Sequence, residues 1–330
     1  MKKYNVAVVG ATGLVGSTFL KVLAEYKFPI ENLKLLASSR SAGKVVNYEG
    51  KDIVVEELTE DSFEGVDIAL FSAGGSISTK FCPIAASKGA VVIDNSSAWR
   101  NDPTLPLVVP EVNPNDIRGY GIIANPNCST IQSIIPLKAL DDKYGLTRVV
   151  YTTYQSVSGS GMKGLKDLEN TLKGEANEFY PYPIAQTCVP EIDSFLDDGY
   201  TKEEMKMVNE TRKMLHKPEL PISATCIRVP IPSCHGVSIM VELEKEFELD
   251  DVRELIANYP GLALRDNPKE HIYPVATEAK GNDLTYVGRI RRDYSVKSGL
   301  NMWVVADNIR KGAAANAVQI AKYIVENNLK

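Results

Sequence analysis

Apolar and polar residues change rhythm several times along the chain, and each change marks an element. Tyr4 to Val9 is a short β-branched run that stops at Gly10-Ala11-Thr12-Gly13-Leu14-Val15-Gly16. Apolar residues then recur at Leu14, Val15, Phe19, Val22 and Leu23, the spacing of a helix with one buried face. Leu33 to Ala37, Val66 to Ser72 and Ala90 to Ile93 are nearly continuous apolar runs, as strands covered on both faces require. Gly121 to Ala124 predicts a further short strand. It enters the turn Asn125-Pro126-Asn127, and the apolar positions Ile131, Ile134, Ile135, Leu137 and Leu140 then predict a helix. Strands alternating with helices give a doubly wound, Rossmann-like α/β domain over residues 1–127.

The second half reads differently. Arg148 to Val157 is rich in β-branched and aromatic residues, and a glycine loop from Ser158 to Gly161 closes it. Ser223 to Pro232 and Val237 to Leu243 predict two strands joined by the tight connection Ser233-Cys234-His235-Gly236. Thr201-Lys202-Glu203-Glu204 is a capping box that opens a helix. The alanines of a last helix, about Lys311 to Glu326, permit close packing, and this helix is expected to return to the first domain after Asn308. The predicted division is residues 1–127, completed by 308–330, and an α+β catalytic and dimerisation domain over 128–307.

A chain of 330 residues accommodates two such cores. A net charge of −5 and the lack of any long Lys/Arg block argue against nucleic acid and anionic membrane as partners. Arg289, Arg291 and Arg292 form a short basic cluster that reads as a solvated strand end. Met1 to Asn5 resembles the start of a signal peptide, but only Val6 to Val9 follow before Gly10, too few for its apolar region. No apolar stretch approaches the ~20 residues of a membrane span. The five cysteines show no C-x-x-C spacing, so neither a disulfide framework nor a metal site is expected. These features predict a soluble protein of a reducing compartment, the cytoplasm.

Chemistry concentrates at Cys128. A thiol at a helix N-terminus faces unpaired amides and the positive end of the helix dipole, which favour thiolate. The same amides suit an oxyanion formed by attack on a carbonyl. Gly10, Gly13 and Gly16 at the first strand–helix junction allow backbone approach to a pyrophosphate. At the end of the second strand stands Ser38-Ser39-Arg40-Ser41 with no carboxylate, so NADP is favoured over NAD. Gln155 shares a strand face with Tyr151 and Thr153 and is placed to orient a substrate. His235 is one of three histidines; His216 and His271 sit in charged surroundings and read as surface residues. Beside Arg228, which suits a carboxylate, His235 is a reasonable acid or base. Cys234 competes for the nucleophile role, but neighbouring side chains of an extended chain diverge, which favours Cys128. Glu203 and Lys206 read as a surface ion pair worth a few tenths of a kcal/mol.

Taken together, the Gly13/Gly16 loop, Ser39-Arg40-Ser41, Asn95 to Arg100, Asn125 to Thr130, Gln155, the Arg228–His235 spacing and Asp307-Asn308 resemble the aspartate-β-semialdehyde dehydrogenases over essentially the whole chain. The resemblance implies reduction of β-aspartyl phosphate by NADPH through a Cys128 thioester, in aspartate-family amino-acid biosynthesis. It implies His235 as acid/base and Gln155 as the acyl-positioning residue. Arg228 would bind the substrate carboxylate, Glu203 its amino group, and Arg100, Lys206 and Asn127 would complete the substrate and phosphate site. Cofactor contacts would come from Gly10, Thr12, Gly13, Leu14, Val15, Ser38, Arg40, Ser41, Ser72, Ser158, Gly159 and Asn308. A homodimer or dimer of dimers is implied. Gly236 departs from the family, where serine is common. Two rivals are an N-acetyl-γ-glutamyl-phosphate reductase, which would have glycine before the cysteine, and a non-catalytic NADP-binding protein. A glyceraldehyde-type dehydrogenase would carry a Ser-Cys-Thr-Thr-Asn run that is absent here.

Overall fold

The computed structural model describes residues 2–330. The chain divides into two compact units, one running to Asn127 and including Ala313–Lys330, the other Cys128–Gly312.

The first unit holds strands β1 (Tyr4–Val9), β2 (Ile30–Ala37), β3 (Val45–Tyr48), β4 (Lys51–Glu57), β5 (Ile68–Phe71), β6 (Val91–Asp94) and β7 (Ile122–Ala124). They form one sheet in the order β3-β4-β2-β1-β5-β6-β7, parallel except for the β3–β4 hairpin. The apolar runs have a simple cause: alternate residues feed two cores. Val6, Val8, Leu35, Ile68 and Ile93 face helix α1 (Leu14–Glu25) and the C-terminal helix Ala315–Glu326. Ala7, Val9, Leu36, Ala69 and Phe71 face the other way, where helix α2 (Gly75–Ser87) contributes Phe81, Cys82 and Ala85. The C-terminal helix begins later than its alanine pattern predicts, because Arg310–Ala314 is wound as a wider π-turn.

The second unit carries strands β8 (Leu146–Gln155), β9 (Ile222–Arg228), β10 (His235–Leu243), β11 (Leu262–Leu264), β12 (Thr285–Asp293) and β13 (Gly299–Ala306) in the order β11-β12-β13-β10-β8-β9. Its helices are α3 (Cys128–Tyr144), α4 (Gly161–Leu172), α5 (Lys202–Met214), α6 (Leu249–Asn258) and the single turn α7 (Ala276–Ala279). Helix α3 lies on the sheet between α5 and α6, and most of its residues are buried. The strand expected to run to Pro232 stops at Arg228, and β9 does not pair with β10. Strand β8 lies between them, parallel to β9 and antiparallel to β10. Pro230 and Pro232 lack the N–H that a continuing ladder needs. The strand expected to reach Val157 ends at Gln155, where a 3-10 turn, Val157–Ser160, begins.

Candidate active site

In the first unit, the parallel strand ends open onto a cavity of about 540 Å³. Gly10, Thr12, Gly13, Ser38, Arg40 and Ser72 line it. Gly10 has a φ of +82°, and a Cβ there would lie 2.4 Å from the Ser72 carbonyl oxygen, so only glycine lets the two loops approach. Ser41 stands behind the wall, 3.4 Å from the Thr12 hydroxyl. Leu14 and Val15, expected to touch cofactor, are not among the lining residues; Val15 packs on the core, as the first turn of an amphipathic helix does. Glu57 is an unforeseen member of the wall. It arrives from β4, where it lies opposite Ala37 of β2. The strand-end carboxylate missing from β2 is thus supplied by its neighbour.

Arg100 is buried in the same unit. Its Nε donates to the Asn125 carbonyl and its Nη2 to that of Asn95, both at 2.9 Å. Asn125 also receives a 2.7 Å bond from Asn316, while its own amide donates to Asn95 Oδ1 at 2.7 Å. The guanidinium therefore braces the loop that leads through the buried Asn127 to the thiol.

The second unit begins with Cys128, half-exposed at the first residue of α3. One helical turn on, Gln132 donates from Nε2 to the backbone carbonyl of His235 at 2.9 Å, tying the helix of the thiol to the strand of the imidazole. His235 opens β10 opposite Ala306 of β13. Its ring is fully buried. The Ser156 N–H donates to Nδ1 at 3.0 Å, while Nε2 has no hydrogen-bond partner. Burial first, then the Arg228 guanidinium, push the imidazolium down to about 3, with Glu203 opposing.

Parallel pairing of β8 and β9 sets Gln155 directly opposite Arg228. Arg228 is buried, and its Nη1 donates to the Ser156 carbonyl at 2.6 Å. Its Nε is buried without a partner. A buried guanidinium with an orphaned donor is a receptor for an anion. Gly159 leaves room for it: a Cβ there would sit 2.8 Å from Nη1 and 3.3 Å from His235 Nε2. Ser158 and Asn308, expected at the cofactor, spend polar atoms on each other and on Ser156.

Glu203 and Lys206 are not the solvated pair that their spacing suggests. Glu203 is 5% exposed; one carboxylate oxygen accepts from Gln155 Nε2 at 3.1 Å, the other from Lys206 at 3.0 Å. Lys206 also donates to Asp193 at 2.8 Å. Burial works against the ammonium, yet the Glu203 and Asp193 carboxylates outweigh it and raise its pKa. The result is a continuous polar run, Thr153–Gln155–Glu203–Lys206–Asp193. Cys234 is buried with a φ of +67°, and its sulfur donates to the Ala276 carbonyl at 3.3 Å. Burial, then Asp307, push that thiol up to about 12, which disfavours it as a nucleophile.

Residues 5–120 match the family model described as semialdehyde dehydrogenase, NAD binding domain, and residues 137–311 match semialdehyde dehydrogenase, dimerisation domain. The chain is 54% identical to the aspartate-semialdehyde dehydrogenase of Aquifex aeolicus over 99% of each chain. It is 46% identical to that of Bacillus subtilis over 98% of each. The crystal structure of aspartate semialdehyde dehydrogenase II complexed with ASA from Vibrio cholerae superposes with a TM-score of 0.95 at 47% identity, covering 99% of both chains. The chain belongs to the aspartate-semialdehyde dehydrogenase family. It is an oxidoreductase that uses a nicotinamide cofactor and a small-molecule substrate. The rival readings, an N-acetylglutamyl-phosphate reductase and a non-catalytic cofactor-binding protein, give way to it.

The departure from the family at Gly236 has a steric cause. A Cβ on residue 236 would lie 2.4 Å from the Trp303 ring, so glycine accommodates the indole. Gln132 and Ser156, which bond His235, and Asp193, which bonds Lys206, carry no motif of their own. Among the described residues no cluster of potential metal ligands occurs, and no helix is long and apolar enough to cross a membrane.

Proposed function

We infer that this chain reduces L-β-aspartyl phosphate to L-aspartate 4-semialdehyde, releasing phosphate, through a thioester on Cys128. The observation that carries the residue roles is the pair of buried, unpartnered donors, Arg228 Nε and His235 Nε2, in the unit that opens with the Cys128 thiol. An acyl phosphate needs a nucleophile that is also a leaving group, and a thiolate is both. Amides at the N-terminus of α3 support the thiolate and the oxyanion that its attack creates. Arg228 holds the substrate carboxylate, Glu203 its amino group and Gln155 the acyl group. Arg100, Lys206 and Asn127 serve the phosphate.

NADP is the proposed cofactor. Arg40 among Ser38 and Ser39 suits a 2′-phosphate, with Glu57 across the wall as a counterweight. The Candida albicans aspartate semialdehyde dehydrogenase, solved with NADP, superposes with a TM-score of 0.81 at 25% identity, covering 100% of each chain. When bound, NADPH supplies a hydride to the thioester carbon. The five cysteines are free thiols, which suits the cytoplasm. The match to a dimerisation domain supports a homodimer.

The test is phosphate-dependent NADP reduction with aspartate semialdehyde, set against N-acetylglutamate semialdehyde. Turnover is expected with the first only. Cys128→Ser is expected to abolish it while cofactor binding survives; retained turnover would place the nucleophile elsewhere.

A further inference from the structure

Among the described residues, Glu57 brings the only carboxylate to the wall of the first unit's cavity, and Arg40 the only full positive charge. The fold fixes the backbone of Glu57. It ends β4 in register with Ala37 of β2. The Leu58 N–H donates to the Ala37 carbonyl at 2.8 Å, and the Ser62 hydroxyl donates to the Glu57 carbonyl at 3.4 Å. The side chain is exposed, and among the described residues no hydrogen bond or ion pair engages its carboxylate. Beside a dinucleotide such a group needs a reason. It repels pyrophosphate and 2′-phosphate, though water and salt screen much of that force. A hydrogen-bond donor on the ligand, met by an ionised acceptor, offsets it.

Strand order decides which donor that is. Gly10 and Gly13 follow β1, where the α1 N-terminus suits a pyrophosphate, and Ser38 to Arg40 follow β2, where a ribose comes. Strand β4 lies one place further out. With neighbouring strands about 4.8 Å apart, its end stands about 10 Å from that of β1. A nucleotide laid across these ends, phosphate then ribose, brings its base to Glu57 and Leu58. The wall changes character there. Leu58, Ala73, Ile77 and Phe81 are apolar and pack on one core, the last three arriving from the stretch after β5. Apolar side chains suit the faces of a purine, and a lone polar group suits its edge. In NADP the 2′-oxygen is phosphorylated, so adenosine keeps two donors, the ribose 3′-hydroxyl and the 6-amino group of the base. The hydroxyl belongs with β2.

We propose that Glu57 selects the base of the cofactor: its carboxylate accepts a hydrogen bond from the 6-amino group of adenine, while Arg40 meets the 2′-phosphate. This rests on the cofactor reading above. Hypoxanthine carries a carbonyl oxygen where adenine has its amino group, so it sets acceptor against acceptor and is disfavoured. A glutamine at position 57 can turn either an oxygen or an NH2 toward the base, so it loses the distinction.

Calorimetric titration of the full-length, substrate-free enzyme with NADP and with its hypoxanthine analogue reads the base without turnover. The wild-type chain is expected to bind NADP about 10-fold more tightly than the analogue. Glu57→Gln is expected to bring the two within about 2-fold, by weakening NADP and strengthening the analogue. Arg40→Ser is expected to weaken both and to leave the preference at about 10-fold. Equal affinities in the wild-type chain overturn the proposal, as does a preference that survives in Glu57→Gln. A preference lost in Arg40→Ser moves the reading of the base to the guanidinium and overturns it as well. Because no substrate is present, these results stand apart from the phosphate-dependence assay. NADP bound without regard to its base overturns the role of Glu57 alone, whereas failure to bind NADP overturns the cofactor reading with it.

Discussion

Gly312 lies against Cys128: a Cβ added at residue 312 would stand 2.9 Å from the Cβ of Cys128 and 3.3 Å from its Cα. The π-turn that carries Gly312 is closed by its own N–H, which donates to the Asp307 carbonyl at 3.0 Å. Both neighbours are backbone-bound, so neither can step aside cheaply. Gly312→Ala is expected to displace the thiol, costing about 1–3 kcal/mol of stability and about 10-fold or more in kcat. Steady-state kinetics with the rate of Cys128 alkylation checks it; wild-type values for both would remove the contact from consideration.

Gly236→Ser restores the residue common in the family and is nevertheless expected to destabilise by about 1–3 kcal/mol, because its side chain meets the Trp303 ring. Trp303→Leu should relieve most of that cost. A double-mutant cycle by urea denaturation measures the coupling, and additive losses would mean the ring moves freely.

Lys206→Met takes the ammonium away from the buried Glu203 carboxylate, whose other oxygen accepts from the Gln155 amide. Discounted for the partial exposure of the ammonium, the expected loss is about 1–3 kcal/mol. KM for phosphate in the reverse reaction should rise about 10-fold. A variant with normal phosphate kinetics but lowered stability would confine Lys206 to a structural role.

Acid should weaken the fold through His235. Its folded pKa is about 3, below the usual 6.5, because burial and Arg228 disfavour the imidazolium. Between those values the unfolded chain takes up a proton that the native state does not. This stability is complete above the unfolded pKa and falls as pH drops toward the folded one, by about 1.4 kcal/mol per unit. Urea denaturation should show about 2 kcal/mol less stability at about pH 5 than at about pH 7 from this group alone. His235→Asn should shrink the difference by that amount, and an equal drop in the variant would refute a neutral buried ring.

The first unit was legible because its signals are local. Each strand is one apolar run, and the glycines sit at the junction where Gly10 closes on Ser72. The thiol was legible for the same reason, since the turn and the helix start are contiguous in sequence. What pairing brings together was not. Glu57 reaches the cofactor wall only because β4 adds beside β2, and nothing near residue 57 signals it. Glu203 looked solvated because E-x-x-K spacing on a helix is ordinary; its burial follows from where α5 meets β8 and β9. The Ser156 network joins three separate stretches of chain, around residues 156, 235 and 308, and a single sequence carries no trace of that meeting.

Arg228 has a wider consequence. Its charge is held in the interior, with the Ser156 carbonyl oxygen accepting from Nη1, so a well-shaped acid that reaches it supplies a counter-charge. Sulfate and short dicarboxylates should therefore lodge there, compete with the substrate and raise the melting temperature. In a cell, the lifetime of this protein would follow the supply of its own metabolite.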